Sequence, residues 1–282
     1  MEQGNVVITK AARAYLDLPA LLMRGVKMRL YRVMLMICLL AYNTVAQDPF
    51  KVAPQAYKLQ FENEWVKVTR VHYAPHEKIA AHKHTLTASA YVYLNDGGPV
   101  VFNHIDKDYG AVTRPATKAG SFRLYRGLQE LHEVENQSDL PSDFLRVEFK
   151  TDPINEKGLK GRFYREEYKA GENFQKVQFE NEQIRITRLV CVVGKKIDLS
   201  TSATEPSLLL ALSPADFKII GGKAQKLKLS LGQEKWFAVS QQGQLENTGT
   251  APAELLRFDF KTRPLSKEEL ERNSKHEHPT GE

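Results

Sequence analysis

Apolar and polar side chains alternate along much of this chain. Val66, Val68 and Arg70 interleave with Lys67, Thr69 and Val71, and Ile184, Ile186 and Arg188 repeat the pattern. A period of two places successive side chains on opposite faces of a strand. Other β-rich runs are YVYL (91–94), FLRVEF (144–149), SLLLAL (207–212) and ELLRFDF (254–260). Turn-forming residues cluster between them, as in NDGG (95–98) and TGTAP (248–252). Short strands punctuated by turns, with almost no helical periodicity, predict an all-β barrel or sandwich. One helix is expected, SKEELERN (266–273), with Ser266 as its cap and Glu269 three residues on.

The pattern occurs twice. QFENEWVKVTR (60–70) returns as QFENEQIRITR (178–188), and LRVEFKT (145–151) returns as LRFDFKT (256–262). The offset is 118 at the head and 111 at the tail, so the first repeat carries seven extra residues. Solenoid units run to roughly 20–50 residues, so this period has the size of a whole small domain. Two tandem domains are predicted, 47–155 and 174–265. Between them 156–173 reads as a charged linker, in which Arg162–Tyr164 is a candidate edge strand. Residues 266–282 form a polar C-terminal tail.

Composition narrows the class. With 42% hydrophobic and 26% charged residues, the chain is neither disordered nor a multi-span membrane protein. The formal charge of +6 invites a nucleic-acid reading, but residues 1–46 hold six basic and two acidic side chains. The remaining 34 basic and 32 acidic residues include no long basic run, so no nucleic-acid partner is expected. The charged start has another explanation. Arg29 and Arg32 precede an apolar run, Val33–Ala41, and small residues ending at Ala46, the order of a secretory signal peptide. The run is shorter than the about 20 residues that span a bilayer. The expectation is export to the periplasm or beyond, with cleavage near Gln47, translation starting at Met23 or Met28, and no membrane span afterwards. An uncleaved anchor or a short buried helix is the alternative. Cys191 would then be the sole thiol, and no intramolecular disulfide forms.

Six of the eight histidines fall in the first repeat, among them the pair His82-Lys83-His84. On a strand, positions i and i+2 share a face about 6.5–7 Å apart, close enough for two imidazoles to reach one ion at about 2.1 Å. Two such histidines can also be ordinary polar residues. The repeat changes that weighing: His82 and His84 face Ser200 and Ser202, and His132 faces Gly243. Nearby Glu135-Asn136 still matches Glu246-Asn247. Joint loss of three distant histidines is expected if they formed one site.

These residues resemble the cupin superfamily, whose first motif runs Gly-x5-His-x-His-x3–4-Glu-x6-Gly and whose second ends in Gly-x2-His-x3-Asn. The first repeat gives His76-x5-His82-x-His84, then NDGG, then His132-x3-Asn136; the second gives Gly194-x5-Ser200-x-Ser202 and ends at Asn247. The resemblance covers nearly all of 56–263. It implies two tandem cupin (double-stranded β-helix, or jelly-roll) barrels, the second without metal. It also implies a divalent transition metal, Zn, Fe, Mn, Ni or Cu, held by His82, His84 and His132 in the first.

There are departures from the family pattern. The carboxylate position falls on Ala88 or Ser89, His76 replaces the first glycine and is expected at positive φ, and Gly127 is displaced from His132. Glu130, two before His132, is a candidate fourth ligand or acid/base, with an exposed rim residue as the alternative. Arg123 and Arg126 are candidate contacts for an anionic substrate, or else solvated strand residues. His72 and His104 read as surface or hydrogen-bonded histidines, and Trp65 and Trp236 as core anchors. No nucleophile elbow or phosphate loop is present. Three functions stay open: an enzyme on a small molecule, a non-catalytic small-ligand binder, and a structural double barrel with a vestigial site. A homodimer is compatible with each.

Overall fold

The computed structural model describes residues 48–84, 87–105, 110–127, 131–154, 158–199, 205–221, 225–239 and 243–273. The expected signal segment, the cleavage position, Glu130, Ser200 and Ser202 lie outside the described residues. A short helix α1 (Pro49–Val52) leads into β1 (Tyr57–Glu62), β2 (Val66–Tyr73), β3 (Lys78–Lys83), β4 (Ser89–Tyr93) and β5 (Val100–His104). The first repeat continues through β6 (Ala111–Arg114), β7 (Phe122–Tyr125), β8 (Leu131–Asn136) and β9 (Ser142–Phe149). The candidate edge strand is β10 (Gly161–Phe163), which pairs with β7.

The second repeat holds β11 (Phe174–Glu180), β12 (Ile184–Cys191), β13 (Lys196–Asp198), β14 (Ser207–Ala211) and β15 (Ala215–Ile220). It ends with β16 (Gln225–Leu229), β17 (Glu234–Phe237), β18 (Gln244–Asn247) and β19 (Ala253–Phe260). Helix α2 (Lys267–Asn273) closes the described chain. Its capping box is formed: Glu269 N–H donates to Ser266 Oγ at 3.2 Å, and Ser266 N–H donates to the Glu269 carboxylate at 2.8 Å.

Each repeat folds into two antiparallel sheets with matching strand order. In the first these are β1-β2-β9-β4-β7-β10 and β3-β8-β5-β6; in the second, β11-β12-β19-β14-β17 and β13-β18-β15-β16. The repeated FENE letters explain part of the match. Asn63 Oδ1 accepts from the N–H groups of Trp65 (2.8 Å) and Val66 (3.0 Å), and Asn181 Oδ1 does the same for Gln183 (3.0 Å) and Ile184 (2.9 Å). Lys150 Nζ then donates to Glu62 at 2.9 Å and to the Asn63 carbonyl at 2.7 Å. Lys261 reproduces both bonds, at 2.9 and 2.7 Å, on Glu180 and Asn181. The repeated stretch is therefore a turn device that closes the first hairpin of each repeat.

The largest apolar cluster lies between the repeats. Val66, Val68, Val92, Leu145 and Val147 from one large sheet pack with Ile184, Ile186, Leu208, Leu256 and Phe258 from the other, flanked by Trp65 and Trp236. Alternation sends the intervening residues inward, so both faces of these sheets are covered. Gln60 donates to the Gly232 carbonyl at 2.8 Å across this junction, and Arg188, almost fully buried, donates to the Gly120 carbonyl at 2.6 Å and to Glu254 at 2.5 Å. Gly232 has φ +78°, and a Cβ there would lie 2.7 Å from Leu94 Cδ1. Only glycine fits.

The interiors differ. The second repeat is filled by Leu189, Cys191, Leu199, Leu209, Phe217 and Leu255 among others. At the positions equivalent to Cys191 and Leu209 the first repeat carries Tyr73 and Tyr91, and there the interior also receives histidines.

Candidate metal centre

Strand β3 carries His82 and ends one residue before His84. Its pairing with β8 slips between Ile79 and His82, so Ala80 and Ala81 stand opposite Glu133 alone. A bulge of this kind adds one residue and re-aims the side chains beyond it. Ile79 and His82 are three apart and would face opposite ways on a regular strand; the bulge turns both inward. His82 then sits opposite His132, and His132 opposite His104 on β5.

The three candidate histidines come together. Their ligand atoms all lie within 4.8 Å of one another. The Nε2 atoms of His82 and His84 are 3.1 Å apart, and the His82 ring stands nearly perpendicular to those of His84 and His132, with centroids at 4.8 Å in both pairs. His82 is fully buried, His132 nearly so, and His84 half-buried.

The surroundings fix a tautomer and a charge state. His82 Nδ1 lies 2.9 Å from the Ala80 carbonyl and donates to it, which leaves Nε2 as the lone-pair nitrogen. Such a backbone bond orients a metal-binding imidazole. Burial, followed by the neighbouring His132 and Arg146, brings His82 down to about 4 against the opposing pull of the Ala80 carbonyl. Burial likewise holds His84 well below the usual histidine range, with Arg146 adding to it. Both are neutral at pH 7, the form that binds metal. Donor type, convergence and protonation fit a divalent transition metal.

Several neighbours carry no motif. Tyr57 Oη is 2.9 Å from His82 Nε2 and 2.7 Å from Tyr73 Oη, and burial raises the Tyr57 phenol well above its ordinary range. Arg146 and Glu148 on β9 are buried and paired at 3.4 Å. They line a pocket of about 230 Å³ together with His84, Lys67, Lys83 and Phe50 of α1. The second repeat keeps a buried pair at the equivalent positions, Arg257 to Asp259 at 2.6 Å, but there Arg257 also donates to the Leu199 carbonyl at 2.8 Å. A sequence signal for these residues existed: LRVEF and LRFDF both carry Arg and an acid two apart inside an otherwise apolar run.

Other candidates fall elsewhere. Arg126 and His72 are exposed. His104 is buried, donates Nδ1–H to the Gly110 carbonyl at 3.2 Å and packs its ring 5.5 Å from that of His132. Arg123 lines a separate pocket that includes none of the three histidines. His76 has φ +57°, as expected where the family motif has glycine. Asn136, the last motif residue, is structural: it donates to the Ala74 and Leu140 carbonyls at 2.9 Å each. Asn247 does the same for Cys191 (2.7 Å) and Ala251 (2.9 Å).

Comparison with known proteins found no matching protein family profile and no matching curated protein. Among solved structures, YhaK from Escherichia coli is similar at 14% identity, over 74% of this chain and 92% of that one, with a TM-score of 0.51. A cupin 2 conserved barrel domain protein from Leptotrichia buccalis matches at 13% identity, over 73% and 88% of the two chains, with a TM-score of 0.44. Salicylate 1,2-dioxygenase from Pseudaminobacter salicylatoxidans matches at 12%, over 70% and 71%, with a TM-score of 0.45. At these identities the likeness concerns the fold alone.

Proposed function

We propose that this chain, a cupin by fold, holds a divalent transition metal through His82, His84 and His132 and presents it to a small molecule. The observation that carries the reading is the convergence of three imidazoles from β3, the residue just past it and β8, with ligand atoms within 4.8 Å of one another. Metal–nitrogen bonds of about 2.1 Å at tetrahedral or octahedral angles put neighbouring donors about 3.0–3.4 Å apart, and the His82–His84 separation of 3.1 Å matches. Three protein ligands leave further positions for substrate or water.

Bound there, the metal would supply Lewis acidity or a position for substrate coordination. The rest falls to the chain. Arg146, on the wall of the pocket beside His84, is placed to orient an anionic group on the small molecule. Phe50 and the lysines Lys67 and Lys83 define the pocket around it. A second reading, a binder without chemistry, is favoured by one observation. Glu148, the carboxylate in this pocket, is held by Arg146 at 3.4 Å and Lys67 at 3.9 Å.

The second repeat, with its apolar interior and retained turns, supports a duplicated domain whose second member has traded a site for packing. Export is part of the proposal, on the strength of Arg29, Arg32 and the apolar run after them. Elemental analysis of the purified chain without a His tag tests the metal reading: one transition metal per chain is expected, and a metal-free protein that takes up none on titration would overturn it. An activity screen of the loaded protein then separates enzyme from binder.

A further inference from the structure

A row of cross-strand partners runs from the metal-site pocket to the edge of the large sheet of the first repeat. Arg146 faces Tyr91, Tyr91 faces Arg123, and Arg123 faces Arg162. Members of such a row share one face of the sheet. From the opposing sheet, Arg114 reaches the same place. Its guanidinium carbon lies 3.6 Å from the Phe102 ring centre and 5.0 Å from that of Tyr91. Arg123 lies 5.8 Å from Tyr91 and 5.4 Å from Tyr125. Arg114, Arg123 and Arg162 wall one pocket with Tyr93, Ser121 and Tyr164.

Three buried arginines have a carboxylate: Arg146 has Glu148, Arg188 has Glu254, and Arg257 has Asp259; in this pocket Arg123 is half-buried and Arg162 exposed. Among the described residues, no carboxylate forms an ion pair with Arg123 or Arg162. Burial, and then the charge of Arg114, pulls the Arg123 guanidinium below its ordinary range. Aromatic faces compensate a cation by only about 0.5–2 kcal/mol, less than a desolvated guanidinium requires. An anion in the pocket would supply the missing partner, and guanidinium forks match the paired oxygens of carboxylate and phosphate.

We propose that the β6–β7–β10 edge of the first repeat is a binding site for a small oxyanion-bearing ligand, carboxylate or phosphate, gripped by Arg114, Arg123 and Arg162. The site is separate from the metal centre and does not depend on its occupancy.

Titration calorimetry and melting curves on the full chain test this, with inorganic phosphate and succinate as probes and sodium chloride matched for ionic strength. The expected result is saturable binding of at least one probe, with a rise in melting temperature that chloride does not reproduce. Arg162→Gln, on an exposed edge strand, should weaken binding at least tenfold, as should Arg123→Gln, while metal content stays unchanged in both. His84→Ala should lose metal and keep the anion response, so failure of the metal reading and failure of this one are distinguishable. Absence of saturable binding by either probe, or unaltered affinity in Arg162→Gln, would overturn the proposal. Succinate without phosphate binding would assign a carboxylate ligand, and the reverse a phosphate.

Discussion

His82 Nε2 and His84 Nε2 stand 3.1 Å apart, with His82 on β3 and His84 just past its end. Positions i and i+2 of a strand stand about 6.5–7 Å apart; here the bulge at Ala80-Ala81 turns His82 inward and the Ala80 carbonyl holds its ring, so that its Nε2 meets that of His84. That convergence is stored in the backbone, so it has consequences for stability as well as for metal.

The depressed His82 makes the metal-free protein acid-sensitive. Its folded value of about 4 lies below the unfolded value near 6.5, so the unfolded chain binds the extra proton between them. Stability is therefore full above about pH 6.5 and falls as pH drops toward 4, by about 3 kcal/mol from this group. Urea midpoints of chelator-treated protein from pH 7.5 to 4 should show this limb. In His82→Gln the limb should be shallower; an identical pH profile would contradict the buried neutral imidazole.

The buried pair of the second repeat should behave as a unit. Arg257→Leu leaves Asp259 buried and charged, and is expected to cost about 3–5 kcal/mol. Arg257→Leu with Asp259→Leu should be less damaging than either single change. Denaturant titration of the three variants measures the coupling, and additive costs would argue against a shared buried pair.

Asn136 and Asn247 each satisfy two carbonyls from a buried position. Alanine at either site should cost about 1–3 kcal/mol, the range for buried polar groups left unsatisfied. In Asn247→Ala the metal content should not change. Loss of metal there would place the second repeat in the site.

Gly232→Ala tests the junction between the repeats. The new Cβ would meet Leu94 at 2.7 Å in a backbone conformation that L residues rarely adopt. Thermal unfolding should show a lower melting temperature, partly restored by trimming Leu94 to Ala. No change in the single variant would mean that the repeats do not meet there.

Much of this was legible in the alternation and the repeat. Strand-rich halves, the capped helix at 266–273 and the edge strand near Arg162 follow from local chemistry, and the positive φ of His76 from its place at a glycine position of the resembled motif. The coming together of His82, His84 and His132 was legible because their counterparts vanish together. Tyr57, Arg146 and Glu148 were not singled out, since strand periodicity assigns a face but does not tell which face lines a pocket. The β3 bulge was invisible for a similar reason: nothing in KIAAHK marks an extra residue, though it decides which way His82 points. Arg123, a candidate contact for an anionic substrate, lies along the sheet from the histidines, beyond Tyr91.

The most direct measurement is metal content and melting temperature of His84→Ala beside the parent chain, with and without added metal. His84 is half-buried and its replacement leaves the His82 and His132 pairing in place, so the fold should persist. The parent should bind one transition metal per chain and melt higher when metal is added; at a hundredfold excess over the dissociation constant the gain is about 2.7 kcal/mol. His84→Ala should lose most of the metal and most of that rise. A variant that keeps the parent's metal content and its full thermal response would contradict the three-histidine site.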